Sequence, residues 1–341
     1  MRNLILSLAT ILLFNCCQHK NNNNESVTKG ITKIAFGSCS HQQDSVQLWP
    51  EITAENPDIM VLTGDNIYGD TQDMAKLKKM YDLQKNRASY QQLLKKTKVI
   101  GVWDDHDYGV NDGGKHYTNK DSSKYLMLDF FDVPINDPVR NRQGVYSSHT
   151  LNNGDHSVKI ILLDTRYFRD TLKIDTTGKS RYIINEHGDI LGEEQWKWLE
   201  NELKNSTADV NIIGSSIQVL AEEQIFEKWA NFPVARKKLL GLINDINPKN
   251  TVIISGDRHI AEISSIMLDN LDYPLYDFTS SGLTHTWAEP WAEQNRYRIG
   301  KLINEKNYGI ININWEDSSM TFEVKGNDQE TYYQLKVPIK L

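Results

Sequence analysis

Five short apolar runs, rich in β-branched residues, each break off into a polar loop of the same kind. Ile31 to Phe36 precedes GSCS, Ile59 to Leu62 precedes TGDNIYGD, and Val99 to Trp103 precedes DDHD. Val158 to Leu163 precedes DTRYFR, and Val252 to Ile254 precedes SGDRH. Runs of this length and composition read as strands buried on both faces, and Val210 to Ile213 adds a sixth. Helix-like stretches alternate with them at Met74 to Gln92, Glu193 to Lys204 and Ala235 to Ile246, which implies an α/β architecture. Farther on, Tyr308 to Trp315, Met320 to Val324 and Tyr332 to Val337 read as consecutive antiparallel strands. Turns are expected at Glu316-Asp317 and Gly326-Asn327. With no internal repeat and no linker after residue 30, one domain over residues 31–341 is expected.

In sheets of parallel strands, ligands bind beyond the carboxyl ends. Those ends carry Cys39, Asp65, Tyr68, Asp104, Asp105, His106, Asp107, Asp164, Arg166, Asp257 and His259. Clustered carboxylates raise one another's pKa unless a positive charge sits among them, and a metal ion supplies one. Thiolate, phenolate and carboxylate together suit a trivalent or strongly polarising centre, whereas carboxylates alone suit Ca²⁺ or Mg²⁺. His106, held between aspartates, is expected to have a raised pKa and to serve as a proton donor. Each element has a plainer reading. Gly-Asp at a strand end is a common turn, a lone Cys39 is usually a small buried hydrophobe, and DDHD or SGDRH alone describes a solvated or salt-bridged loop. Their joint occurrence, each after a strand, favours one shared site.

The N-terminus, MRNLILSLATILLFNCCQHK, has a basic start and an apolar run from Leu4 to Phe14. That run is about half of the ~20 residues a bilayer span requires, so residues 1–17 read as a signal peptide. Leu13-Phe14-Asn15-Cys16 resembles a lipoprotein cleavage box, although Asn15 departs from the usual small residue. Residues 18–30 are polar and read as a flexible tether. Only Cys39 remains beyond residue 17, so no disulfide framework is expected. A formal net charge of −7 argues against a nucleic-acid-binding surface. The expected protein is exported, meets a membrane only through a lipid anchor, and is a monomer.

The segments FGSCS, PDIMVLTGDNIYGD, VIGVWDDHD, LLDTRYFR, SSIQVL, FEKWANFPVAR and ISGDRHIAEIS, between about residues 31 and 285, resemble the alkaline phosphatase D (PhoD-like) branch of the metallophosphatases. The resemblance implies a four-layer α/β sandwich with two central mixed β-sheets flanked by helices. It also implies hydrolysis of phosphate mono- or diesters at a binuclear or multinuclear centre, Fe³⁺ with Ca²⁺, with Mg²⁺, Mn²⁺ or Zn²⁺ as alternatives. Carried onto this chain, Cys39, Asp65, Tyr68, Asp105, Asp257 and His259 become metal ligands, with Asp65 bridging and Asn111 a weaker candidate. Asp105 stands where related motifs have Asn, and Asp257 where they have His. His106 matches the catalytic histidine. Arg166 is a candidate bidentate clamp for phosphate oxygens, the alternative being a strand-end salt bridge. His285 is expected either to reach the site or to pack beside Trp287. With only residues 18–30 between the expected signal peptide and the domain, the extra N-terminal β-domain that some longer bacterial members carry is not expected.

The expected reaction is metal-assisted attack of water in line on phosphorus, with no covalent enzyme intermediate. Two rivals make different demands. A Cys39 nucleophile paired with His106 or His259 is indifferent to chelators, and a non-catalytic metal- or glycan-binding lipoprotein turns over no ester. The Trp-rich stretch WAEPWAEQNRYR, residues 287–298, reads equally as a substrate lip or as packing.

Overall fold

A computed structural model describes residues 30–287 and 293–341 of the chain. The expected signal peptide, and all of the expected tether but Gly30, lie outside the described residues. Strands in chain order are β1 Ile31–Gly37, β2 Ile59–Leu62, β3 Lys98–Gly101, β4 Ser147–Asn153 and β5 His156–Leu162. A minor hairpin, β6 Lys173–Ile174 with β7 Tyr182–Ile183, follows. Then come β8 Val210–Gly214, β9 Thr251–Ser255, β10 Ala261–Ile266, β11 Leu275–Ser280 and β12 Arg298–Ile303. The last three are β13 Tyr308–Asn314, β14 Ser319–Lys325 and β15 Thr331–Pro338. Helices are α1 Trp49–Glu55, α2 Met74–Lys85, α3 Ala88–Lys96, α4 Asp105–Tyr108, α5 Lys120–Phe130, α6 Gly192–Lys204 and α7 Pro233–Ile246.

Two mixed sheets form the centre. The first runs β15-β14-β13-β1-β2-β3, with β1, β2 and β3 parallel and the C-terminal meander antiparallel. The second runs β12-β10-β11-β9-β8-β5-β4, with β5, β8, β9 and β11 parallel. Strand periodicity decides which way each side chain points. Val158, Ile160 and Leu162 of β5, Val210 and Ile212 of β8, and Val252 and Ile254 of β9 pack with the first sheet. Their alternates Ile161, Ile213 and Ile253 pack under α6 and α7 with Trp196, Leu199, Leu239 and Ile243. Residues of α1, α2, α3 and α5 cover the first sheet, giving four layers. Phe36, Phe278 and Phe322 join the sheets, with Phe278 edge-on to Phe36 at 4.7 Å and to Phe322 at 5.7 Å between ring centroids.

Two local expectations are corrected. The run from Val99 to Trp103 is not a strand buried on both faces: β3 is an edge strand, ends at Gly101 and exposes Lys98. The stretch Met74 to Gln92 is not one helix, because the chain breaks at Asn86 and resumes from an extended Arg87. Neither Gly nor Pro marks that break, so helix propensity ran through it.

Candidate metal centre

Loops from the carboxyl ends of both sheets meet at one place. Those after β1, β2 and β3 bring Cys39, Asp65, Tyr68 and Asp105, and the loop after β9 brings Asp257 and His259. The backbone is bent hard to do this. Cys39 (φ 61°), Asp65 (φ 50°), Asp257 (φ 69°) and His259 (φ 54°) all occupy the left-handed region, which side-chain-bearing residues visit at a cost. Gly64 lets the β2 loop touch the β3 loop, since a Cβ there would lie 2.4 Å from Asp104 Cβ.

Asp65, Asp104, Asp105 and Asp257 each offer a carboxylate oxygen, all within 4.8 Å of one another. A second set, Asp65, Asp105 and His106, meets the same limit. Asp65 and Asp105 are common to both sets. Around them, Cys39 Sγ and Tyr68 Oη each lie 3.4 Å from Asp65 Oδ2. Asp65 Oδ1 and Asp104 Oδ2 are buried with no hydrogen-bond partner. A buried, unpartnered carboxylate oxygen is expensive, and a cation is the ligand that relieves it. The donor set thus fits a metal ion.

Electrostatics point the same way. Burial, then the charges of Asp105, Asp104, Asp107 and Asp257, hold the Asp65 carboxyl well above its usual range. Burial, then Asp104 and Asp105, do the same to Asp257. At Asp105 burial is outweighed by Arg166, His106 and two backbone N–H donors, which hold it at about 2. Burial and Asp65 push the Cys39 thiol up, the reverse of an activated nucleophilic cysteine.

His106 Nδ1 lies 2.7 Å from Asp70 Oδ2, and the imidazole ring stands 4.2 Å from the Tyr68 ring. Burial lowers its pKa, but Asp70 and Asp105 prevail and raise it to about 10. His259 is in neither close donor set. Its ring lies 6.4 Å from that of Tyr68 and 4.4 Å from that of His285. His285 does reach this group, 5.1 Å from Tyr68. His41, not foreseen from the sequence, lies 5.1 Å from Tyr68.

Arg166, Asn111 and Asp164 are placed otherwise. Arg166 is fully buried, with Nε 2.5 Å from Asp104 Oδ1 and Nη1 2.6 Å from Glu227 Oε2. This is the ion-pair placement, not an open clamp. Asn111 is exposed, donates to Asp112 Oδ2 at 2.7 Å and lines a separate cavity of about 480 Å³ with Arg169 and Tyr182. Asp164 fastens loops by accepting from Trp103 Nε1 and from the N–H groups of Val145, Arg166 and Tyr167. The missed contributors were Asp70, His41, Asp104 as an acidic donor, and Glu227. Asp70 had a visible signal as the second Gly-Asp of TGDNIYGD; Glu227, in an irregular loop, had none.

Two face-to-face mixed sheets with an acidic centre at their strand ends define a metallophosphatase-like α/β protein. A profile described as PhoD-like phosphatase matches residues 34–295, and the chain belongs to the PhoD-like phosphatase family. It is similar to alkaline phosphatase D of Bacillus subtilis (strain 168), 24% identical over 286 residues. The alignment covers 69% of this chain and 47% of that one, so the chain spans about half the length of the curated relative. Its fold is similar to that of PhoD, with a TM-score of 0.71 at 17% identity, covering 92% of this chain and 69% of the other. It is also similar to purple acid phosphatase PPD1 from yellow lupin (Lupinus luteus) seeds, with a TM-score of 0.62 at 13% identity, covering 90% and 54%. Among the described residues no helix is long and apolar enough to cross a membrane.

Proposed function

We propose that this chain is a metal-dependent phosphoric ester hydrolase that uses water as its nucleophile. The observation that carries the reading is the set of four carboxylates within 4.8 Å, two of whose oxygens are buried and unpartnered. Asp65 and Asp105 would be shared between ions, with Asp104, Asp257, Cys39, Tyr68 and His259 completing the shell. The thiol and phenol favour Fe³⁺ on their side and the carboxylates favour Ca²⁺ on theirs, with Mg²⁺, Mn²⁺ or Zn²⁺ as alternatives. When bound, such ions polarise the phosphoryl group and make water a stronger nucleophile at neutral pH.

The chain's own residues do the rest. Asp70 fixes the His106 ring through Nδ1, leaving Nε2 for the substrate, and keeps the imidazole protonated. The ring then donates its proton to the departing alkoxide oxygen. Arg166 acts as a positioning residue: it holds Asp104 and offsets the acidic cluster from behind. Asn111 stays a weaker ligand candidate. The Cys39 surroundings disfavour the thiol-nucleophile alternative. The substrate is a small-molecule, phospholipid or polymer phosphate ester, with no nucleic acid involved. The enzyme acts as a monomer whose residues 31–341 form the catalytic domain. It is exported, with residues 1–17 removed or lipidated at Cys16 and residues 18–30 as tether.

Elemental analysis of purified protein, with assays on a monoester and a diester before and after chelation, tests this reading. The expected result is bound metal and chelator-sensitive turnover that added metal restores. Turnover unaffected by chelator but abolished by thiol alkylation would support the cysteine mechanism. Bound metal without turnover of either ester would support the binding protein.

A further inference from the structure

Trp287 is 41% exposed, yet it is held on several sides. Its backbone N–H donates to the His259 carbonyl at 3.3 Å, and its indole Nε1–H donates to the Arg258 carbonyl at 2.9 Å. The indole stacks on Phe226 with ring centroids 5.5 Å apart and planes 24° apart. It meets the His259 imidazole at 5.5 Å and 66°. Phe226 is itself fixed: its N–H donates to Gln224 Oε1 at 2.6 Å, and the Arg258 guanidinium lies 4.5 Å from its ring centroid. That guanidinium pairs with Glu293 at 2.5 Å. Arg258 lies between the candidate ligands Asp257 and His259, so the indole is tied to the loop that builds the acidic centre.

A single exposed aromatic residue ordinarily needs no explanation. An indole whose N–H, backbone and ring are all anchored has little conformational freedom left to lose, and such a surface favours a flat partner. We propose that Trp287, backed by Phe226, is a specificity-determining platform that stacks an aromatic leaving group of the ester. The platform rests on the hydrolase reading above. Both an aryl ester and a nucleoside phosphate present that chemistry, and an alkyl phosphate does not.

The test compares wild type, Trp287→Ala and Trp287→Phe on 4-nitrophenyl phosphate, a nucleoside 5′-phosphate and glycerol phosphate. Trp287→Ala is expected to raise KM for the aromatic esters about tenfold, with kcat and the glycerol phosphate parameters changed by less than about twofold. Trp287→Phe should keep most of the aromatic preference. A loss on only one aromatic ester identifies which source the platform serves. Equal changes on all three esters, or none, overturn the platform and leave the hydrolase reading standing. If wild type cleaves none of the three and does not cleave bis(4-nitrophenyl) phosphate either, the hydrolase reading fails instead. Calorimetric binding of phenylphosphonate against methylphosphonate then decides the platform: about tenfold weaker phenylphosphonate binding in Trp287→Ala supports it, and unchanged binding overturns it.

Discussion

Replacing Asp257 by Asn should stabilise the metal-free protein and destabilise the metal-loaded one. In the folded chain the Asp257 carboxylate offers an oxygen within 4.8 Å of oxygens from Asp65, Asp104 and Asp105. Two like charges at that separation repel by about 3–4 kcal/mol at an effective dielectric constant near 20. Part of this is already relieved, because burial and neighbouring carboxylates raise the Asp257 pKa and favour proton uptake. The remaining gain from removing the charge is about 1–3 kcal/mol. Asn also tolerates the left-handed backbone at this position, so the swap adds no conformational strain. For a chain of this size the gain corresponds to a Tm rise of about 1.5–5 °C in chelator. Saturating metal reverses the order. At a hundred times Kd a bound ion adds about 2.7 kcal/mol to the wild type, and the variant, one ligand short, gains less. Calorimetric melts of both proteins after dialysis against chelator, and again after metal is restored, give the comparison. A variant that melts no higher than wild type in chelator, and that metal stabilises equally, refutes the reasoning.

Arg166→Met leaves Asp104 buried without its ion-pair partner and Glu227 with Arg169 alone, and should cost about 3–5 kcal/mol in chemical denaturation. Unchanged stability with a raised KM would instead make Arg166 a direct phosphate clamp. Phe278→Ala removes a fully buried ring that meets Phe36 and Phe322 across the sheets, and should cost about 3–5 kcal/mol by the same measurement. His149 is lowered to about 4, chiefly by burial, so the folded state resists its protonation. Its contribution is complete above the unfolded pKa and is lost as pH falls from about 6.5 toward 4. Wild type should therefore lose about 1–2 kcal/mol between pH 7 and pH 5 that His149→Gln does not lose, read from urea midpoints at both pH values.

Where a strand is buried on both faces, as in β2 and β9, its β-branched run is uninterrupted, and the residues that stop it lie at the candidate centre. Ile59 to Leu62 matched β2, and Val252 to Ile254 lies within β9. Edge elements were not legible in this way. β4 reads SSHTLNN, a half-exposed polar segment whose strand character comes from pairing with β5 rather than from its own pattern. Residues with their own motif could be named as candidates from the sequence, whereas partners supplied at long range could not. Arg166 stood out as a charge after a strand. Only the fold shows that Glu227, 61 residues on, takes up its Nη1 group. His285 could be read as packing or as part of the site, and the fold brings its ring close to those of His259 and Tyr68.

The central claim is that Asp65 and Asp105 hold cations in common. Anomalous diffraction from crystals of the purified, active protein tests it most directly. The account predicts strong anomalous peaks within coordinating distance of both carboxylates, with Cys39 or Tyr68 beside one of them. Fully active crystals with neither an anomalous peak nor ion density between those residues would contradict it.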